Sequence, residues 1–168
     1  VKTLHLTKRY GDVTALDDLS LEVPQGEILA LVGPNGAGKT TALKLLVGLL
    51  TPSAGDVWVG GYHILDQSLQ AKRLLAFVPD QPFLYEALTV AEFLAFLGGM
   101  YRMEPSRVQE RSRALVTLFG LVEQLDRRIG HLSYGMKSRL VLIASLLHDP
   151  TVLIMDEPTA ALTESDVE

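Results

Sequence analysis

Gly33-Pro34-Asn35-Gly36-Ala37-Gly38-Lys39-Thr40-Thr41 is the stretch on which the reading of this chain turns. It fits the pattern of Gly, any four residues, then Gly-Lys-Thr. Glycines let the backbone curl until successive N–H groups converge on one hollow, a geometry that holds the dense negative charge of a polyphosphate. Lys39 adds a mobile cation for the outer phosphates, and Thr40 adds a hydroxyl able to ligate Mg²⁺. A helix that opens at this point presents its positive N-terminal end to the same anion.

The flanks supply the setting the motif needs. Upstream, Glu27-Ile28-Leu29-Ala30-Leu31-Val32 predicts a short strand buried on both faces and running into the loop. Downstream, Leu43, Leu46, Val47 and Leu50 recur at helical spacing and predict a helix from Lys39 to Leu50.

The 168 residues suffice for one domain with a sizeable core. Hydrophobic residues make up 48% and the net charge is −5, which argues against a nucleic-acid partner, because such partners select a basic face. There is no cysteine, hence no disulfide framework and no thiolate chemistry. No apolar run reaches the ~18–20 residues of a membrane span, and the first residues lack a signal-peptide layout. The expectation is a soluble, cytosolic protein that remains free to dock on a membrane protein. His5, His63, His131 and His148 show no metal-ligand spacing.

Apolar and polar residues alternate around Leu4 and Leu6, and again through Leu19, Leu21 and Val23, which predicts β structure across residues 1–32 with a turn at Pro24-Gln25-Gly26. Thr51-Pro52-Ser53-Ala54-Gly55 reads as a loop, Asp56 to Val59 as a strand turned by Gly60-Gly61, and Leu74 to Val78 as a strand closed by Pro79. Residues 89–119 read as helical with a break near Glu104-Pro105-Ser106. Ser133 reads as the N-cap of a helix that runs to about Leu147 and is stopped by His148-Asp149-Pro150. Thr151 to Met155 reads as a second continuous apolar strand. Buried strands next to helices imply an α/β fold with a parallel core sheet and helical crossovers.

The strand Val152-Leu153-Ile154-Met155 delivers Asp156-Glu157 at its C-terminal end, where a nucleotide site takes its carboxylates. Asp156 is placed to hold Mg²⁺, and Glu157 to polarise an attacking water as general base. Taken by themselves, the two read more simply as solvated loop acids; the phosphate loop earlier in the same chain turns the reading toward a nucleotide site.

Four stretches together resemble the nucleotide-binding subunit of ATP-binding-cassette (ABC) transporters. They are GPNGAGKTT at 33–41, FVPDQPFLYEALTV at 77–90, LSYGM at 132–136 and LLHDPTVLIMDEPT at 146–159. The resemblance implies a P-loop NTPase core, an N-terminal antiparallel β subdomain and an α-helical signature subdomain inserted at approximately 89–135 of a single domain spanning 1–168. It implies ATP and Mg²⁺ as ligands, with Gly33, Pro34, Asn35, Gly36, Ala37, Gly38, Lys39, Thr40 and Thr41 around the phosphates and Tyr10 stacked on adenine. Ser133 and Gly135 of one copy would cover the γ-phosphate held by a second copy in a head-to-tail pair. The catalytic roles would fall to Glu157 and Lys39, and the metal to Thr40 and Asp156 with Asp80 or Gln81. A membrane transporter subunit would dock along Phe77 to Met100, placing the protein at the inner face of the cell membrane. Within that stretch Phe83, Leu84, Tyr85, Leu88, Phe93 and Phe96 offer apolar surface, most of it expected to be core at this spacing.

The chain departs from its family in places. Asp80 stands where the family has a glutamine that senses Mg²⁺ and water, with Gln81 next to it. Either Asp80 ligates the ion or Gln81 takes over by a small register shift, and the sequence leaves both open. Tyr134 and Met136 replace a glycine and a glutamine of the signature, which resembles the subset that energises two-component exporters of drugs, antibiotics or polysaccharides. Thr163 stands at an aspartate position, and the family's following strand, which carries a γ-phosphate-contacting histidine, does not occur before Glu168. Its loss would leave the phosphate-loop strand as an open sheet edge. The leading expectation is an ATPase subunit driving an exporter. The alternative is a nucleotide-binding regulatory or inactive module. Ribosome- or DNA-directed ABC ATPases and small-molecule kinases fit less well: the first carry paired cassettes or long coiled-coil insertions, neither of which this acidic 168-residue sequence shows, and the second leave LSYGM unexplained.

Overall fold

β1 (Lys2–Tyr10) and β2 (Val13–Glu22) form an antiparallel hairpin, turned by Gly11 and Asp12. In this computed structural model, which describes residues 1–80 and 83–156, the chain divides into two compact units, Val1–Leu75 and Ala76–Glu168. In the first, β3 (Ala54–Val59) and β4 (Tyr62–His63) extend the hairpin to a four-stranded antiparallel sheet of order β2-β1-β3-β4.

The expected alternation through Leu4 and Leu6 breaks at His5. Leu6 is fully buried, whereas Leu4 is exposed. The cause is an irregularity in the ladder, where His5 and Asp18 both take a φ of 50°. Side chains stitch this bulge. Thr3 Oγ1 donates to Leu19 O at 2.9 Å and accepts from Leu21 N–H at 3.0 Å, while Thr7 Oγ1 accepts from Asp18 N–H at 3.1 Å.

α1 (Lys39–Leu46) packs Ala42, Leu45 and Leu46 inward, with Val57, Val59 and Ile64 also buried in this unit. It ends earlier than Leu50. Gly48, at φ 67°, donates to Leu45 O, and Leu49 N–H reaches back to Lys44 O, so the orphan carbonyls of the last turn are closed by a left-handed glycine stop. A further short helix, α2 (Ser68–Arg73), was not foreseen; six residues give too little periodicity to read.

The largest correction concerns residues 27–32. They form no strand and join no ladder among the described residues. Ile28 is 100% exposed and Val32 93%, where burial on both faces was expected. The hydrophobic pattern is that of a central strand, but a strand is held by the neighbours that take up its N–H and C=O groups. Of residues 27–32, only the Glu27 N–H finds a backbone acceptor among the described residues, Pro24 O at 3.4 Å, and that is a turn contact rather than a ladder.

β5 (Leu75–Val78), which starts at the boundary and lies otherwise in the second unit, pairs with β6 (Val152–Met155) in a two-stranded sheet. Asp156 N–H prolongs the pairing to Val78 O at 2.9 Å. Of β6, Ile154 is buried and Leu153 is exposed, so this strand is covered on one side rather than both. Between them run α3 (Val90–Met100), α4 (Pro105–Leu118) and α5 (Tyr134–Leu146). The break falls at the expected Glu104-Pro105, with proline in the first turn of α4. A capping box starts α3, with Thr89 Oγ1 accepting from Glu92 N–H and Glu92 accepting from Thr89 N–H. Phe93, Leu94, Val116, Leu121, Ile129, Leu140 and Ile143 form its core.

α3 and α4 approach closely at Gly98, where an added Cβ would lie 2.3 Å from Val108 Cγ2 and 2.8 Å from its Cγ1. Val is stiff at χ1, so it cannot swing clear. Gly98→Ala should therefore destabilise the protein by about 1–3 kcal/mol in urea unfolding. Gly99→Ala, one residue on and in open space, should instead add up to ~1 kcal/mol through helix propensity. Equal effects of the two substitutions would refute the tight crossing.

Candidate functional site

Two of the loop glycines adopt the backbone conformation the motif requires. Gly36 has φ 82° and Gly38 φ 86°, the left-handed region that L side chains rarely enter. Gly38 is the N-cap of α1, so the loop and the helix share one residue. It is also pressed against the hairpin, since a Cβ there would sit 2.4 Å from Ala15 O. Lys39 opens the helix, and its Nζ donates to Gly33 O at 2.7 Å and Pro34 O at 2.9 Å. The ammonium is thus folded over the mouth of its own loop, held by neutral carbonyls that an anion can displace. Asn35, Ala37 and Thr40 are exposed, and Thr41 is half-buried at the first turn of α1.

Tyr10 lies on the same unit as the loop. It closes β1 opposite Val13, and Ala15, against which Gly38 rests, is two residues further along β2. Its ring is half exposed, with Lys8 Nζ 5.1 Å from the centroid. One face is therefore engaged by a cation.

In the second unit, Asp156 sits at the end of β6 and is only 7% exposed. Asp80 is exposed two residues past β5. Hard carboxylate and hydroxyl oxygens of the kind offered by Asp156, Asp80 and Thr40 fit Mg²⁺ by chemistry. Gln81, Glu157 and Thr163 lie outside the described residues. Ser133 caps α5, its Oγ accepting from Met136 N–H at 3.3 Å, and Gly135 has open space around it. Tyr134 is exposed on the first turn.

Of the six docking candidates between 83 and 96, Phe83, Tyr85 and Phe96 are exposed, while Phe93 is buried and Leu84 and Leu88 lean on the core. The three exposed rings form one patch. Phe83 and Tyr85 meet edge-on at 5.4 Å, as do Tyr85 and Phe96 at 5.4 Å.

The sequence pattern of the ABC transporter family matches residues 16–160, and that span takes in the loop, the aromatic patch, the signature helix and Asp156. The chain belongs to the ABC transporter family. Among its relatives, the uncharacterized ABC transporter ATP-binding protein YxlF of Bacillus subtilis (strain 168) is 41% identical over 94% of this chain and 52% of its own length. The SkfA peptide export ATP-binding protein SkfE of the same organism is 40% identical over 94% of this chain and 65% of its own. A solved ATP binding subunit of an ABC transporter superposes with a TM-score of 0.88 at 33% identity, covering 96% of this chain and 68% of that one. The fold is thus the ABC ATPase fold, an antiparallel N-terminal sheet joined to a parallel sheet with helices. The chain spans about half to two thirds of the length of these curated relatives. No helix among the described residues is long and apolar enough to cross a membrane.

Motif reading missed Glu86 and Lys137. They meet at 2.6 Å, Lys137 on the first turn of the signature helix of this ABC chain and Glu86 beside the aromatic patch. The Glu86 carboxyl is held below its ordinary value of 4.5, first by its hydrogen bond to Lys137 and then by that residue's charge. A depressed carboxyl contributes stability above pH 4.5 and loses it as pH falls through the lower folded value. A cation in the first turn of a helix, here four residues after the N-cap Ser133, is the available signal, since it opposes the helix dipole unless something offsets it.

Two substitutions test the loop. Gly38→Ala meets both the left-handed φ and the Ala15 carbonyl and should abolish measurable binding of a fluorescent ATP analogue. Gly36→Ala has open space and should cost only the ~1–2 kcal/mol of a left-handed residue. Identical losses at both positions would show that the seat against Ala15 does not matter.

Proposed function

We propose that this chain is the ATP-binding and hydrolysing part of a subunit that powers an ABC transporter of the exporter type. The carrying observation is the loop, with Gly36 and Gly38 left-handed and Lys39 at the head of α1. The exporter assignment is supported by Tyr134 and Met136 in the signature and by SkfE, which is named for peptide export. Residues 1–168 then belong to one ATP-binding domain, with approximately 89–135 its helical insertion.

In this reading the Tyr10 ring stacks on adenine with the face that Lys8 leaves free. The loop N–H groups from Gly33 to Thr41 bind phosphate oxygens, and Lys39 exchanges the Gly33 and Pro34 carbonyls for them. Mg²⁺, when bound, neutralises charge on the outer phosphates. Thr40, Asp156 and either Asp80 or Gln81 would supply its oxygen ligands. Ser133 and Gly135 of a second copy close over the γ-phosphate with a hydroxyl and a helix N-terminus. Glu157 takes a proton from the attacking water as the water oxygen bonds to γ-phosphorus and the bond to the bridging oxygen breaks, releasing ADP and phosphate. The subunit works at the inner face of the membrane, with a membrane component docked on Phe83, Tyr85 and Phe96. No nucleic acid is involved.

The test is phosphate release from Mg-ATP by the full-length protein, measured against protein concentration. Turnover per subunit should rise with concentration, as a two-copy site demands. Lys39→Ala should weaken nucleotide binding about 10- to 100-fold, the worth of a charge-assisted contact. Glu157→Gln should bind normally and lose about 10²- to 10⁴-fold in turnover. Tight binding with no turnover in the unaltered protein would instead identify a regulatory module, and normal hydrolysis by Glu157→Gln would remove the base assignment.

A further inference from the structure

The stretch leading into the signature helix is laced to the stretch leading into α3. Val90 N–H donates to Arg127 O at 3.2 Å, Ala91 N–H to Leu125 O at 2.9 Å, Ile129 N–H to Leu88 O at 2.9 Å and Gly130 N–H to Glu86 O at 3.0 Å. Beyond this ribbon lies a side-chain pair, Lys137 Nζ to Glu86 Oε1 at 2.6 Å. Gly130 eases the approach, because a Cβ there would stand 3.2 Å from Glu86 O and 3.4 Å from Glu86 Cβ and would press the neighbour back by a few tenths of an ångström. Glu86 follows directly on Tyr85, the central ring of the exposed patch.

Lys137 sits one turn above Ser133, and its N–H donates to Ser133 O at 2.9 Å. The first turn of α5 contains no acid, so the lysine there faces the positive end of the helix with nothing on its own element to offset it. Glu86 brings the opposing charge from outside the helix. Lys137 is 27% exposed and Glu86 65%, so the pair is partly shielded on the lysine side only.

We propose that Glu86 and Lys137 act together as a positioning pair, fixing the first turn of α5, and with it Ser133, to the loop that carries the aromatic patch. Neither side chain touches substrate. The pair sets how the signature hydroxyl is presented to nucleotide held by a second copy, and in that respect it rests on the function proposed above.

The experiment uses the full-length protein unaltered, as Glu86→Gln, as Lys137→Gln, and as the exchange Glu86→Lys with Lys137→Glu. Each single variant should raise the protein concentration at half-maximal turnover about two- to fivefold, the range of an exposed ion pair. Affinity of the dilute subunit for a fluorescent ATP analogue should stay unchanged, because the phosphate loop is untouched. The charge exchange should return the half-maximal concentration to that of the unaltered protein. Amide hydrogen exchange in the first turn of α5 should quicken two- to fivefold in the single variants and recover in the exchange. Single variants that match the unaltered protein, or an exchange that restores nothing, would overturn the pair. An unaltered protein that binds ATP yet neither self-associates nor hydrolyses it would sink the proposed function instead, and the hydrogen-exchange result would then decide the pair alone.

Discussion

Backbone N–H and C=O groups must find partners once water is excluded, and in this chain that requirement decides which segments carry structure. β1, β2 and β3 satisfy each other, and even the bulge at His5 and Asp18 is repaired by threonine hydroxyls rather than left open. The 86–91 and 125–130 stretches, neither of them a regular strand, still exchange four backbone bonds. Residues 27–32 have the strongest strand composition of the first unit but no ladder partner among the described residues, and all but the half-buried Leu31 lie exposed. Apolar pattern proposes a strand, but the ladder makes one.

That contrast explains what could be read from the residues and what could not. The phosphate loop was legible because its glycines answer a local demand: a φ of 82° or 86° is forbidden to most residues whatever surrounds them. Ser133 as a cap and the break before Pro105 were legible for the same reason, each being settled within one turn of helix. The exposure of 27–32, the half-open Leu153 and the separation of Leu4 from Leu6 depend on segments far away in sequence or on a bulge with no composition of its own. Among the docking candidates the residue types do not separate surface from core; only packing divides the exposed Phe83, Tyr85 and Phe96 from the buried Phe93.

The signature helix shows how a motif can be recognised while its support is overlooked. Ser133 and Gly135 are identified by type and order, whereas Glu86 stands 51 positions from Lys137 and belongs to no motif with it. Yet α5 begins with a weak cap, the Ser133 hydroxyl accepting at 3.3 Å, and a lysine set against the helix dipole. A helix start of that kind is not held by its own residues. What holds it is the neighbouring ribbon.

Glycine illustrates the same division within one residue type. Gly38 answers both a dihedral and a spatial demand, since its φ is 86° and a Cβ would press on Ala15 O. Gly98 and Gly130 answer spatial demands alone, one beneath Val108 and the other beneath Glu86, with ordinary negative φ. Dihedral demands leave a spacing pattern because they recur wherever the same turn recurs. Spatial demands leave none, because the neighbour that imposes them arrives from elsewhere in the chain. A phosphate loop is therefore recognisable from nine residues, while the contact that steadies a signature helix becomes visible only when two distant stretches are seen side by side.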